Sequence, residues 1–464
     1  MPLILGTNSI KATGYDVDNS CRFNNDSSDN LNRTPSSASN RRTFTFSTWF
    51  KLSGTDGAFI SAGTDISNGP LFIIDILSGG NEGLLRVEDT VSGDNVIGLR
   101  TTRKIRDITG WMHLCVAIDT TQSTASDRVK VYINGTQETS FGTETYPTQN
   151  LELAINNTHE HRIGTRAANT SGKFFDGYMC ETVLVDGSAL APTEFGEFDS
   201  DSPTIWKPKD VSGLTFGTNG FYLDYKDSSA LGNDVSGNNN DWTVNNLTAV
   251  DQSTDTCTNN FATLNPLLFH TYSGTYSEGN LKIVASNDSW YADASTIAPS
   301  SGKFYMEVKV SAIGNFCALG VGAFPFSNVG HSQLIGELSN TIGWRNNGVL
   351  NQNGSAGTSL NSFTTNDIIG MYLDLDNGKF YFSKNGTLES STGLSLTTGL
   401  EYFFVVNPRG STLELNFGSP PYSVSSSNTD DNGYGNFEYS PNITGDGAAK
   451  KFYALNTKNL AEYG

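Results

Sequence analysis

Two short stretches set the grammar of this chain: Val129 to Gly135 reads VKVYING, and Lys379 to Gly386 reads KFYFSKNG. In each, side chains alternate between apolar and polar, and an Asn-Gly pair closes the run. Alternation with period two lays one face of a strand on a core, and Asn-Gly tolerates the two left-handed positions of a tight hairpin turn. Thr43 to Leu52 (TFTFSTWFKL) extends the pattern, with Phe44, Phe46, Thr48 and Phe50 on one face, and Trp111 to Asp119 (WMHLCVAID) repeats it. No long helical period competes. Ser188 to Phe195 (SALAPTEF) places Pro192 where it opens one short helix. The expected fold class is all-β.

Length and composition sharpen this reading. A chain of 464 residues exceeds what one core usually serves, so two domains are expected. Its 48 Gly fit short strands joined by turns, while 27 Phe and 18 Tyr supply the apolar payload that a disordered chain lacks. The net charge of -19 repels nucleic acid and anionic lipid, so neither is an expected partner. No apolar run approaches the roughly 20 residues that cross a bilayer, so membrane insertion is not expected. Met1 to Gly6 (MPLILG) lacks the basic start of an export signal, and folding in a cytoplasm is expected. Cys21, Cys115, Cys180, Cys257 and Cys317 are scattered singly, which predicts neither a disulfide framework nor a zinc cluster.

Polar breaks divide the chain. Glu197 to Asp210 (EFDSDSPTIWKPKD) reads as a linker, Gly232 to Asn260 is rich in Asn, Asp, Ser and Thr, and Ser419 to Asp446 holds Pro420-Pro421. The expected divisions are a sandwich over 1–200, a loop-rich connector over 201–262, a second sandwich over 263–420 and an extension over 421–464.

Residues 15–200 resemble a laminin-G-like, concanavalin A-type domain. The resemblance is carried by Phe44 to Phe50 (FTFSTWF), Trp111 to Asp119, Val129 to Gly135, His161 to Gly164 (HRIG) and Phe175 to Leu190 (FDGYMCETVLVDGSAL). Residues 290–418 resemble a SPRY domain through Ser301 to Val310 (SGKFYMEVKV), Ala318 to Ala323 (ALGVGA), Ile342 to Gly348 (IGWRNNG), Asp367 to Gly386 and Asn416 to Gly418. Phe221 to Thr243 resembles an opening segment of laminin-G-like domains, and it is expected to supply a first strand to the second sandwich. Together these imply two antiparallel, jelly-roll β-sandwiches. The whole order, closed by Phe452 to Leu460 (FYALNTKNL), resembles the LamG-plus-SPRY virion proteins of marine tailed bacteriophages. That resemblance implies a tail fibre or tip on the virion surface, a homo-oligomer among other virion proteins, which binds a host-surface glycan or protein. A capsid-decoration or tail-hub protein without a host ligand is the alternative, and a polysaccharide depolymerase a third reading.

Catalysis is not expected. Sugar hydrolysis needs two carboxyl groups flanking the scissile bond. The pair Glu197 and Asp199 leads into Ser-Pro, and Glu181 has a structural place in the resembled family. His159 and His161 lack a third metal ligand nearby, and Asp374 to Gly378 (DLDNG) reads as a hairpin turn. Laminin-G-like domains often hold one Ca²⁺, the one cofactor the resemblance allows. Asp234, Asn238, Asn240 and Asp241 are the oxygen-rich cluster nominated for it, and the alternative is an ordinary Asn/Asp-rich loop. For ligand binding, aromatic faces beside polar side chains at strand ends are the candidates: Trp290, Tyr291, Trp344, Arg345, Asn346, Asn347, Asn407 and Arg409. The aromatic demand of a sandwich core gives Trp290 a core alternative, and polar neighbours leave Trp344 as readily exposed as buried.

Overall fold

Both Asn-Gly pairs turn as their chemistry demands. Asn134 and Gly135 take φ of 48° and 73°, and Asn385 and Gly386 take 49° and 78°. They close the hairpins Val129–Ile133 to Thr136–Glu138 and Lys379–Lys384 to Thr387–Leu388. In this computed structural model the described residues are 14–64, 69–91, 93–167, 172–267, 274–285, 289–323, 334–444 and 449–464; Met1 to Gly6 lie outside them. Two units result, divided between Thr258 and Asn259. Among the described residues no helix is long and apolar enough to cross a membrane.

The first unit is a sandwich of two antiparallel sheets. One runs Thr136–Glu138, Val129–Ile133, Met112–Asp119, Thr43–Leu52, Gly177–Asp186, Ser20–Phe23, Gln252–Ser253. The other runs Phe141–Thr145, Asp94–Lys104, Leu84–Val91, Leu71–Ile76, Gly57–Gly63, Glu160–Ile163, Asn30–Arg33, Thr243–Asn245. Phe44, Phe46 and Phe50 point into the core as their spacing predicts. Phe44 meets Phe72 of the facing sheet edge-on at 5.6 Å, and Phe50 meets Phe59 at 4.8 Å.

The connector does not connect. Phe221–Leu223 pairs with Gly177–Asp186, so the expectation of a first strand for the second sandwich is overturned. Thr243–Asn245 and Gln252–Ser253 pair with Asn30–Arg33 and Ser20–Phe23. Glu197 to Asp210 is no free linker either, since Gly196–Phe198 and Trp206–Pro208 form a hairpin over the first sheet's outer face. There Trp206 is buried, donating from Nε1 to His113 Nδ1 at 3.1 Å. A Cβ on Gly135 would lie 2.4 Å from the Trp206 ring, so the turn glycine also admits the indole. The physical reason is apolar area: Trp49, Trp111 and Tyr178 project from the outer face and need cover. Asp255 reaches the same layer, with Oδ2 2.8 Å from Lys51 Nζ and Oδ1 accepting from Trp111 Nε1 at 2.9 Å. The helix expected over Ser188 to Phe195 is a single 3-10 turn, Pro192–Glu194.

The second unit repeats the plan. Its larger sheet runs Gly274–Ser277, Lys282–Ala285, Thr412–Asn416, Lys303–Ala312, Ile368–Asp374, Lys379–Lys384, Thr387–Leu388. The facing sheet runs Asp293–Ala294, Tyr402–Asn407, Ala318–Ala323, Thr341–Arg345, Leu350–Gln352, Ser355–Ala356. The extension wraps the larger sheet, burying Phe437, Ile443 and Phe452 against Tyr305, Tyr372 and Tyr381. It adds Tyr453–Ala454 in parallel beside Lys303–Ala312 and ends in the helix Thr457–Tyr463.

Glu307 ties the extension down. Its buried carboxyl accepts from Tyr439 N at 2.7 Å, Glu438 N at 3.0 Å, Tyr305 Oη at 3.0 Å and Asn416 Nδ2 at 3.1 Å. Burial pushes its pKa up to about 7 against the pull of those donors, and burial does the same for Asp293, Asp89 and Glu181. Folding therefore takes up protons between the ordinary carboxylate range and about pH 7. The stability these four groups contribute is full below that range and is lost as pH rises through about 7. In the first unit burial of neutral His113 and His161, held down at about 3 and 4, works the other way, so we expect the second unit, which holds Glu307 and Asp293, to melt higher near pH 5 than near pH 8. Thermal melts across that window check this, and a melting point that rises with pH would contradict it.

Candidate ligand-binding site

Strand register brings most of the nominated side chains together. Ala318 faces Arg345 on one side and Asn407 on the other, and Asp293 faces Val406. The chain segments around 290, 316, 345 and 409 therefore meet at one end of the smaller sheet of the second unit. Trp290 lies half-buried at the centre. The Arg409 guanidinium carbon is 4.7 Å from the Trp290 ring centroid, and that of Arg345 is 5.6 Å from it. Phe316 extends the surface, its ring 6.1 Å from Trp290 and 5.2 Å from the Arg409 guanidinium.

The remaining nominees divide by role. Asn407 is fully buried; it accepts from Ile335 N at 2.9 Å and donates through Nδ2 to Tyr291 O. It holds the loop that carries Trp290 and is not available to a ligand. Asn346 straps the adjacent strand start, its Oδ1 accepting from Cys317 N at 3.1 Å. Asn347 is exposed and accepts from Val349 N at 3.3 Å. Tyr291 is half-buried beside Trp290.

Trp344 is a correction. It is 0% exposed, packed 4.8 Å from Phe363 and 5.2 Å from Phe382. In Thr341–Arg345 the phase of alternation sends Ile342 and Trp344 inward, which leaves Arg345 on the opposite face. Its polar neighbours belong to the following turn and say nothing about the strand. Sequence reasoning missed Phe316, just before Ala318–Ala323, and Glu337, which accepts from Arg345 Nη2 at 2.8 Å. An apolar residue between Gly314-Asn315 and a strand start was the available signal for Phe316.

The proposed calcium cluster also comes together, as a hydrogen-bonded loop. Asp234 accepts from Tyr222 N and Ser236 N through Oδ1, and from Ser236 Oγ and Asn240 N through Oδ2, at 2.8–3.0 Å. Asp241 accepts from Asp234 N, while Asn238 and Asn240 donate to the Gly220 carbonyl. Arg33 donates to Asn240 Oδ1 and sits in the field of Asp234 and Asp241. A guanidinium thus stands beside these carboxylates, and the loop is held by hydrogen bonds of its own. Among the described residues no group of three or more His, Cys, Asp or Glu is placed to hold a metal ion.

Other titratable groups are committed to the fold. His161 donates from Nδ1 to the His159 carbonyl and accepts Asn156 N at Nε2, and burial holds its pKa down at about 4. Glu181 occupies a bulge in Gly177–Asp186 at φ 50°, and its carboxylate accepts the hydroxyls of Tyr15 and Tyr222. Glu197 and Asp199 both lean on Lys207, at 3.4 and 3.3 Å. What the Trp290 cluster offers chemically is a flat apolar face edged by two cations. That suits stacking and charge pairing; among the described residues of the cluster no nucleophile lies beside a base.

The fold defines a modular protein of two β-sandwich domains. Residues 25–194 match the family model Laminin_G_3, described as the concanavalin A-like lectin/glucanases superfamily, and residues 303–420 match the SPRY domain model. The chain thus carries a concanavalin A-like domain followed by a SPRY domain. Among solved structures, it is similar to the SPRY domain of human HERC1, with 18% identity over 29% of this chain and 87% of that one, at a TM-score of 0.25. It is also similar to a SAP-like pentraxin from Limulus polyphemus, with 18% identity over 38% of this chain and 80% of that one, at a TM-score of 0.28.

Proposed function

We propose that this is a non-enzymatic binding protein whose SPRY sandwich holds a carbohydrate or protein ligand against Trp290, between Arg345 and Arg409. The carrying observation is the half-buried indole with a guanidinium 4.7 Å and another 5.6 Å from its ring, set on loops fixed by buried Asn407. Loops on a rigid sandwich present such groups preformed, which lowers the ordering cost of binding. The resemblance of the sequence to LamG-plus-SPRY virion proteins is what supports a place on the virion surface of a tailed phage, assembled in the host cytoplasm. There it serves as a tail fibre or tip that engages a host-surface glycan or protein. Several weak copies in a homo-oligomer would add avidity.

The test is a glycan array and whole-cell binding assay with the intact chain, Trp290→Ala and Arg409→Ala. Each variant should bind at least about tenfold more weakly, with an unchanged far-UV spectrum. Undiminished binding by both would remove this cluster from the function. Location of the chain in purified particles tests the virion reading, and its absence from them would overturn that part.

A further inference from the structure

Two of the five thiols meet. Cys180 and Cys257 are both 0% exposed, and their sulfurs lie 3.7 Å apart, although 77 positions separate them in the chain. A disulfide needs about 2.0 Å between sulfurs, so closure asks each sulfur to move by under about 1 Å. The other three thiols lie apart: Cys21 in the core of the first sandwich, Cys115 in a cluster with Phe195 and Phe216, and Cys317 in the second unit.

The two sulfurs belong to unlike pieces of chain. Cys180 stands within Gly177–Asp186, opposite Trp49 of Thr43–Leu52, and packs in the outer layer with Trp111 and Trp206. Its strand is paired on both sides. Cys257 sits in a turn at the end of the first unit, just beyond Gln252–Ser253. That end is tied down by polar contacts. Ser20 Oγ donates to the Asp255 carbonyl at 2.6 Å, Asp255 holds Lys51 and Trp111, and Thr258 Oγ1 accepts from Val17 N at 3.1 Å. Such a segment opens at less cost than the sheet beneath it, so opening bares Cys257 first. While it is closed, burial raises the Cys257 thiol well above its ordinary pKa and keeps it protonated and inert.

We propose that Cys180 and Cys257 form a modification site, at which a low-molecular-weight disulfide such as oxidised glutathione converts the two thiols into an intramolecular cross-link that locks the end of the first unit onto its central sheet. In the opened segment the Cys257 thiol gives its proton to solvent and attacks one sulfur of the oxidant, releasing a glutathione thiolate. When the segment recloses, Cys180, deprotonated in turn, attacks the Cys257 sulfur of the mixed disulfide and releases the second. Two protein thiols are oxidised, one disulfide is reduced, and the two protons leave on two glutathione thiols. The cross-link closes the chain from 180 to 257, which contains the covering hairpin and Phe221–Leu223, and so restricts the unfolded chain far more than the folded one.

Treatment of the intact protein with oxidised glutathione tests this. Five free thiols, titrated in denaturant, should fall to three, and a non-reduced digest should contain one peptide pair joined through Cys180 and Cys257. The melting temperature of the first unit should rise by at least about 4 °C and return on reduction with dithiothreitol. Cys257→Ser should give neither the joined peptides nor the rise, and Cys317→Ser should give both. Five thiols persisting even in urea just below the unfolding transition, where the segment opens, would overturn the site. So would glutathione left bound at Cys257, a cross-link to another cysteine, or a cross-link that leaves the melting temperature unchanged.

Discussion

Replacing Asp255 by Ala is expected to destabilise the first unit by about 3–5 kcal/mol, the cost of leaving a buried charge without its counter-charge. Lys51 is 0% exposed, and the Asp255 carboxylate faces its ammonium at 2.8 Å. The same substitution strips the acceptor from the buried indole N–H of Trp111. Urea unfolding followed by Trp fluorescence would measure the loss. Asp255→Asn separates its parts, since an amide can still accept from Trp111 but offers Lys51 no charge. If charge is the larger part, Asn should recover less than half. The double change Lys51→Met/Asp255→Leu should recover most of the stability, because apolar replacement of a buried pair is often neutral. A loss below about 1 kcal/mol for Asp255→Ala would mean that Lys51 finds water or another partner, and the tie between the 201–258 segment and the sheet would be weak.

The second large effect concerns Trp344→Ala, which should cost the second unit about 3–5 kcal/mol. The indole fills the core between Phe363 and Phe382, and nothing small can replace its volume without a cavity. Arg345→Ala, one residue on, faces the opposite way and should cost under about 1 kcal/mol, because its partner Glu337 is exposed and the pair screened. Melting curves of the two variants make the comparison. Loss of ligand binding in Trp344→Ala would therefore report loss of fold, and only Trp290, Arg345 and Arg409 report the site. Equal, small effects from both would place Trp344 outside the core.

These two positions also show where a sequence is legible. The strands were, because alternation and Asn-Gly are local signals: Thr43–Leu52 and Val129–Ile133 form where their pattern puts them. The candidate site was half legible. Trp290, Arg345 and Arg409 converge because strand ends in register must, but Trp344 shows that a window of polar neighbours cannot supply the phase of a strand. The segment 201–258 was not legible as part of the first unit. Its pairings, such as Leu223 with Thr182 and Ser253 with Ser20, link residues far apart in sequence, and nothing near Phe221 or Asp255 names the partner. Likewise, nothing local to Asp234 and Asn240 names Tyr222 N or Arg33 as their hydrogen-bond partners.

The pairing of Ser20–Phe23 with Gln252–Ser253 also sets a clock on synthesis. The strand at the start of the first unit leaves the ribosome long before its outer partner exists, by on the order of ten to fifty seconds at about 5–20 residues per second. During that interval the outer face bearing Trp49, Trp111 and Lys51 has no cover from Trp206 or Asp255. A nascent chain halted near residue 200 should thus be captured by chaperones and cut readily by protease, whereas one released past residue 258 should resist both.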